Sequence, residues 1–137
     1  MGSVMKLAEA FRIGLKQAHP KLRRSFLKKI PLAVAAILEA RTANTMMIAS
    51  FLPLESERLD MRAQWLTRLL GNSFLESSCI LEPWARQLIT QASSKGQTII
   101  LSMDQTESSD DFAILMISLR VGDRSLPLVW HVEMGSA

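Results

Sequence analysis

The sequence predicts an α+β protein in which a helical region precedes a small antiparallel sheet. Up to residue 70, apolar residues recur every three or four positions, which is typical of amphipathic helices. After residue 98 the pattern changes to short runs rich in β-branched and other apolar residues, separated by turn residues, which is typical of strands. We expect a helical, basic region at 1–71, a connecting segment with one helix at 72–97, and a sheet at 98–137.

Length and composition are those of an ordinary globular chain. Its 137 residues are enough for about one domain. The single cysteine, Cys79, excludes an internal disulfide and a zinc cluster, and favours a reducing compartment and a small buried residue over a nucleophile. No apolar run reaches the roughly 18–20 residues that span a bilayer. We expect a cytoplasmic protein with no membrane partner.

The two halves of the chain differ in charge. Residues 1–71 carry twelve Lys/Arg and five Asp/Glu, whereas residues 72–137 carry four and eight. The basic front half is a candidate for binding a polyanion such as DNA. A solvated helical surface would explain the same charge equally well.

The first helix is predicted at residues 4–18 and should end at His19-Pro20, because the residue before proline is disfavoured in the α conformation. A basic segment follows that could contact phosphate groups, with Lys21, Arg23, Arg24, Lys28 and Lys29. Its first three cations are the predicted DNA contacts. Pro31 is expected in the first turn of the next helix, which continues to Ala40.

A polar interruption at residues 41–44 separates that helix from another that runs to Pro53, with Thr42 or Asn44 as its N-cap. Two helices joined in this way are compatible with a DNA-binding helix-turn-helix. The leading end of its second helix would present three residues to DNA: Arg41, Asn44 and Thr45. Helical hairpins that never contact DNA have the same pattern.

A further helix is predicted at residues 59–70 and ends at Gly71-Asn72. Its basic side carries Arg58, Arg62 and Arg68. We expect Trp65 to lie in the core rather than to stack on a base. Residues 72–81 are predicted to be irregular, and Glu82-Pro83 should begin the last helix before the sheet.

Three strands are predicted: residues 98–104, 112–121 and 125–132. An acidic loop, residues 105–111, should join the first two, and a tight turn at Gly122-Asp123 the last two. The second strand is apolar on both faces, so it should be central, and Pro127 places the third strand at an edge. The first strand carries Asp104, whose carboxylate would be costly to bury without a cation, a hydrogen-bond partner or a metal.

Taken together, these strands resemble bacterial insertion-sequence transposases of the DDE class. The matching stretches are Ile100 to Thr106, Phe112 to Arg124 and Leu126 to Trp130. More loosely, residues 42–44 and 62–70 resemble the N-terminal helical region of that family. The resemblance implies a ribonuclease H-like catalytic core, and a helical region that binds the ends of the mobile element.

By this resemblance, Asp104 is the first of three carboxylates that hold two Mg²⁺ or Mn²⁺ ions. One metal would activate the nucleophile and the other would stabilise the leaving oxygen of a phosphodiester. The second aspartate and the glutamate lie later in the family fold, so we expect this chain to be an N-terminal portion with weak or no metal binding and no transposase activity. Whether the chain itself is an enzyme stays open.

Three alternatives follow. The chain is a fragment of a transposase, or it is a non-enzymatic regulator that binds DNA or dimerises, with itself or with full-length transposase. The third is an unrelated helical protein with a small sheet. Because the sheet would leave an apolar edge and face uncovered, we also expect the chain to be poorly soluble, or partly molten from residue 98 onward.

Overall fold

The computed structural model describes residues 2–135 except 74, 76 and 110, and it leaves out the side chains at 77–79 and 109. The described residues form five α-helices followed by a three-stranded antiparallel sheet, which confirms the predicted α+β class. The chain divides into two compact units, residues 1–75 and 76–137, called here the helical unit and the sheet unit. The prediction that Cys79 is buried lies outside the described side chains, and residue 110 of the predicted acidic loop lies outside the described residues.

The helical unit consists of four helices: α1 (Gly2–Ala18), α2 (Arg24–Ala40), α3 (Thr45–Phe51) and α4 (Leu59–Leu70). Helices α1 and α2 pack through Val4, Ala8 and Ala35, with Leu32 beside them. The largest fully buried side chains of this unit include Leu52 and Leu66.

Helix α2 begins seven residues earlier than predicted, so Pro31 lies inside it and not in its first turn. That prediction is wrong. An internal proline removes one backbone hydrogen bond and costs about 3 kcal/mol. Phe26, Ile30 and Pro31 are all buried, and their packing offsets this cost and keeps the helix continuous.

The sheet unit contains α5 (Ser77–Ala92), a 3-10 turn (Ser94–Gly96), β1 (Leu101–Ser109), β2 (Phe112–Val121) and β3 (Arg124–Met134). Helix α5 starts at Ser77, so the predicted irregular segment is wrong over residues 77–81, and the predicted helix start at Glu82-Pro83 is wrong. The physical reason is packing against the sheet. Leu81, Ala85 and Ile89 lie four residues apart and line one cleft with residues of all three strands, so Leu81 belongs on the helix.

Strand β1 also differs from its prediction, because it begins at Leu101 and extends to Ser109. The acidic loop predicted at residues 105–111 is therefore mostly strand. Antiparallel pairing explains the change: Gln105, Thr106 and Glu107 pair with Leu115, Ile114 and Ala113 of β2. Backbone hydrogen bonds to β2 keep this segment extended, although its polar side chains favour a loop.

The sheet topology is as predicted. The strand order is β1-β2-β3 with both pairs antiparallel, so β2 is central. Val121 pairs with Arg124 across the two-residue turn, where Gly122 has a φ of 62°, a conformation that glycine adopts without strain. Edge strand β3 contains Pro127, and its register shifts beside it. Proline and a bulge are both tolerated there because one side of an edge strand has no ladder partner.

In the described part of the chain, no single helix is long and apolar enough to cross a bilayer. Helices α2 and α3 together have the required length and composition, but the pair is bent by 108° at its break.

Candidate nucleic-acid interface

Helices α2 and α3 meet at an angle compatible with the predicted helix-turn-helix. They are joined by residues 41–44, and their axes turn by 108°, within the range of roughly 90–120° that this motif uses. The N-cap of α3 is Asn44, one of the two predicted candidates: its Oδ1 accepts from the backbone N–H of Met46 at 3.0 Å and of Met47 at 3.2 Å. Thr42 Oγ1 in turn accepts from the backbone N–H of Asn44 at 3.2 Å.

The three residues predicted to contact DNA at this turn have different roles. Arg41 ends α2 in the left-handed conformation (φ 54°), with its N–H donating to the Ile37 carbonyl at 3.0 Å. Asn44 uses its carbonyl oxygen for the cap, so only its amide N–H group is left for a base edge. Thr45 is exposed at the start of α3. The other large exposed side chains of α3 are apolar: Met46, Met47 and Phe51.

The three predicted phosphate contacts lie at the junction of α1 and α2. Lys21 lies in the turn, Arg23 is the residue before α2, and Arg24 is its first residue; all three are exposed. The first turn of α2 contains no acidic residue. Cations at this end oppose the helix dipole, so a bound anion would stabilise both the helix end and the cations.

Arg62 has a structural role that sequence reasoning missed. Its guanidinium donates to three backbone carbonyls, those of Ser56 at 2.6 Å, Leu54 at 3.3 Å and Ser50 at 3.4 Å. All three acceptors lie at the end of α3 or in the loop between α3 and α4. Arg62 therefore holds that loop, and its contact with DNA stays a prediction.

Arg68 lines a cleft between α2, α4 and the loop that Arg62 holds; we call it the α2–α4 cleft. Its volume is about 440 Å³. The residues that line it are Lys29, Leu54, Ser56, Met61, Gln64, Trp65, Arg68, Leu69 and Asn72. The spacing of Met61, Gln64, Trp65 and Arg68 places them on one face of α4.

The sequence alone did not predict this cleft. Trp65 was predicted to lie in the core, Lys29 was predicted only as part of the basic segment after the first helix, and Gln64 was not included in a site. The spacing on α4 is visible in the sequence, but the approach of Lys29 from α2 is a tertiary contact that no local pattern encodes. Trp65 is only partly buried, and Lys29 and Gln64 are exposed.

In the part of the chain that the structure describes, two cations of the helical unit are paired with carboxylates, and the two that line the α2–α4 cleft are not. Arg12 binds Glu9 at 2.6 Å and Arg58 binds Asp60 at 2.7 Å. These hydrogen bonds hold the pKa of Glu9 and of Asp60 below the usual value for each carboxyl. Among the described residues, neither Lys29 nor Arg68 has an ion-pair partner. Their charge is therefore not cancelled locally, unlike that of Arg12 and Arg58.

The predicted catalytic residue, Asp104, lies in the middle of β1 with its side chain exposed. Its carboxylate accepts a hydrogen bond from Thr106 Oγ1 at 3.3 Å. Across the sheet it is opposite Met116, which is opposite Trp130. Glu107 lies on the other face of β1 because strand side chains alternate.

The donors around Asp104 do not by themselves make a two-metal site. Its neighbours on the same face offer a hydroxyl, a thioether and an indole, whereas Mg²⁺ favours several oxygen ligands. Within the residues that the structure describes, no three His, Cys, Asp or Glu side chains are grouped so as to hold a metal ion. Asp104 alone would supply only one of the several oxygen ligands that such a site needs.

Comparisons with family models, with curated proteins and with solved structures find no match to this chain.

Proposed function

We propose that this chain is the N-terminal portion of a DDE transposase acting in DNA transposition. In this proposal the helical unit binds the ends of the mobile element in the bacterial cytoplasm. The three strands of the sheet unit are the first strands of a ribonuclease H-like core. Asp104 is one of the three carboxylates that hold the metal ions in the full-length parent.

The position of Asp104 is the observation that carries this proposal. It lies at the centre of the first strand of an antiparallel meander, and its side chain is open to solvent. A carboxylate there would be accessible both to metal ions and to a phosphodiester. Its single hydrogen-bond partner among the described residues is the Thr106 hydroxyl, which leaves lone pairs for a cation.

The DNA-binding part is supported by the helical unit itself. It combines the 108° turn between α2 and α3 with exposed cations at the start of α2. If phosphate contacts dominate, the affinity for duplex DNA will fall steeply as salt is raised. A mobility-shift titration with the intact chain at several salt concentrations measures this, and no shift at low salt would remove DNA binding from the proposal.

Catalysis is tested separately. One carboxylate holds metal ions weakly, so we expect no nicking or strand transfer with Mg²⁺ or Mn²⁺ above the level of an Asp104→Asn variant. Activity that depends on Asp104 would contradict this expectation. The DNA that follows codon 137 should encode the remaining core, in the same or another frame; a downstream sequence without it would count against the transposase proposal.

A non-enzymatic regulator is the second candidate, and the organisation of the chain favours it. The helical unit is compact by itself, so it could bind DNA, or pair with another copy or with full-length transposase, without catalysis. Duplex binding by a chain that shows no nicking, together with inhibition of an active transposase from the same element, would identify this function.

A further inference from the structure

We propose that the α2–α4 cleft binds a single unpaired nucleotide, with its base against Trp65 and its phosphate between Lys29 and Arg68. The inference rests on the proposed function only in its expectation of DNA as the ligand. It does not depend on the transposase identity or on the helix-turn-helix.

The size and walls of the cleft suit one nucleotide. Its volume of about 440 Å³ falls within the roughly 300–1,000 Å³ of small-ligand pockets. Leu54, Met61 and Leu69 give it apolar walls, and Trp65 adds an aromatic surface that is not fully buried. Stacking on an aromatic side chain is the usual way in which proteins hold an unpaired base, because every base has a π face.

The polar residues of the cleft match the other parts of a nucleotide. Lys29 and Arg68 have no ion-pair partner among the described residues, so both can bind a phosphate. Gln64, one position before Trp65 on α4, carries an amide that can donate to and accept from a base edge. This combination of two cations, an aromatic ring and an amide fits a nucleotide better than an inorganic anion or an apolar ligand.

Arg62 maintains the shape of the cleft. Two of the three carbonyls that accept hydrogen bonds from the Arg62 guanidinium belong to residues that line the cleft, Leu54 and Ser56. The loop wall is therefore held before any ligand binds, which lowers the entropic cost of binding.

A base inside a duplex is stacked on both sides and cannot enter such a cleft. Binding to single-stranded DNA is therefore expected to depend on the cleft, and binding to intact duplex is not. The intact chain can be titrated into a short fluorescein-labelled oligothymidylate and into a labelled duplex, with anisotropy as the measurement.

The matched variants are Lys29→Gln/Arg68→Gln and the control Lys6→Gln/Lys16→Gln. Both doubles remove two exposed positive charges from the helical unit, but only the first removes them from the cleft. We expect the first to weaken single-strand binding about fivefold or more beyond the control, and to leave duplex binding equal to that of the control. Equal losses in the two doubles would overturn the proposal, because general charge would then explain the binding.

Trp65 is tested with a conservative pair. Trp65→Phe should keep most of the single-strand affinity, whereas Trp65→Leu should lose about fivefold or more, with helical content checked by circular dichroism. Equal affinity of the folded Leu and Phe variants would overturn the stacking role. If Trp65→Leu does not fold, the charge variants, which alter exposed residues, still decide the proposal.

Competition identifies the source of the nucleotide. Displacement of the labelled strand by thymidine monophosphate supports recognition of a free nucleotide, and displacement only by unlabelled oligothymidylate supports a nucleotide within a strand. Displacement by an acidic peptide as effectively as by oligothymidylate would overturn nucleotide binding. If the intact chain binds no duplex but binds single strands through the cleft, the proposed element-end function is refuted and this inference stands. If it binds duplex but its single-strand binding does not depend on the cleft, only this inference is refuted.

Discussion

At the scale of single residues, Asn44 has the best-defined role. Its Oδ1 accepts from two backbone N–H groups at the start of α3, which otherwise would have no partner within the helix. Helix α3 has seven residues, too few to be stable without its cap and its packing. The cap therefore helps to determine whether α3 forms.

The Asn44→Ala variant should lower the free energy of unfolding of the helical unit by about 1 kcal/mol. Asn44→Asp keeps the capping oxygen and should retain nearly all of the free energy of unfolding. Urea denaturation followed by circular dichroism measures both variants. A loss of the same size in the aspartate variant would show that something other than the cap is responsible.

At the same scale, the sequence identified Asn44 and the cations but not their partners. The cap was predictable because it depends on residues two and three positions away. Arg62 was not, because Ser50, Leu54 and Ser56 accept its hydrogen bonds from six to twelve residues away. An arginine on the polar side of a helix gives no local sign that its donors are already used.

At the scale of elements, the loop between α3 and α4 depends on that arginine. Arg62→Gln should destabilise the helical unit by about 2 kcal/mol, because three hydrogen bonds from a charged donor to backbone carbonyls are lost, and the one to Leu54 is partly buried. The loop should also become more mobile. Amide hydrogen exchange should therefore speed up at Leu54, whose N–H donates to the Leu52 carbonyl.

The control for this prediction is Arg58→Gln. Arg58 is exposed and pairs only locally with Asp60, so its loss should change stability little. Equal exchange at Leu54 in the two variants would contradict the proposed role of Arg62.

The predicted element boundaries were wrong where packing competes with local preference. Pro31 and Pro83 both signalled the start of a helix, yet both lie within one. Burial of Phe26 and Ile30 extends α2 before its proline, and α5 extends to include Leu81, which lines a cleft with residues of the sheet. In contrast, Pro127 and Gly122 were interpreted correctly, since an edge strand and a tight turn impose their backbone requirements locally.

At the scale of the whole molecule, the two edges of the sheet are unequal. Edge strand β3 is protected by Pro127 and a register shift, whereas β1 contains neither proline nor a basic residue. Arg120 donates its N–H to the Ile100 carbonyl, so by alternation the backbone groups of Leu101, Met103 and Gln105 point away from β2. No described strand pairs with them.

An open edge of this kind favours aggregation. Met103 is 68% exposed on it, and Met103→Lys should raise the concentration at which the chain stays monodisperse by light scattering. Ser125→Lys, which adds the same charge on the protected edge strand, should have little effect. An equal gain from both would point to net charge and not to the β1 edge.

By itself, the sequence determined the α+β class, the order of the strands and the hairpin at Gly122, and it narrowed the cap of α3 to Thr42 or Asn44. Each depends on residues that are near in the chain or on a repeating pattern, so short-range physical chemistry is sufficient. Only the tertiary structure decided that α2 and α5 run through their prolines, that Arg62 holds a loop, and that Lys29 meets Trp65 and Arg68 in one cleft. Those features arise from contacts between segments far apart in sequence, where burial and satisfied hydrogen bonds outweigh local preference.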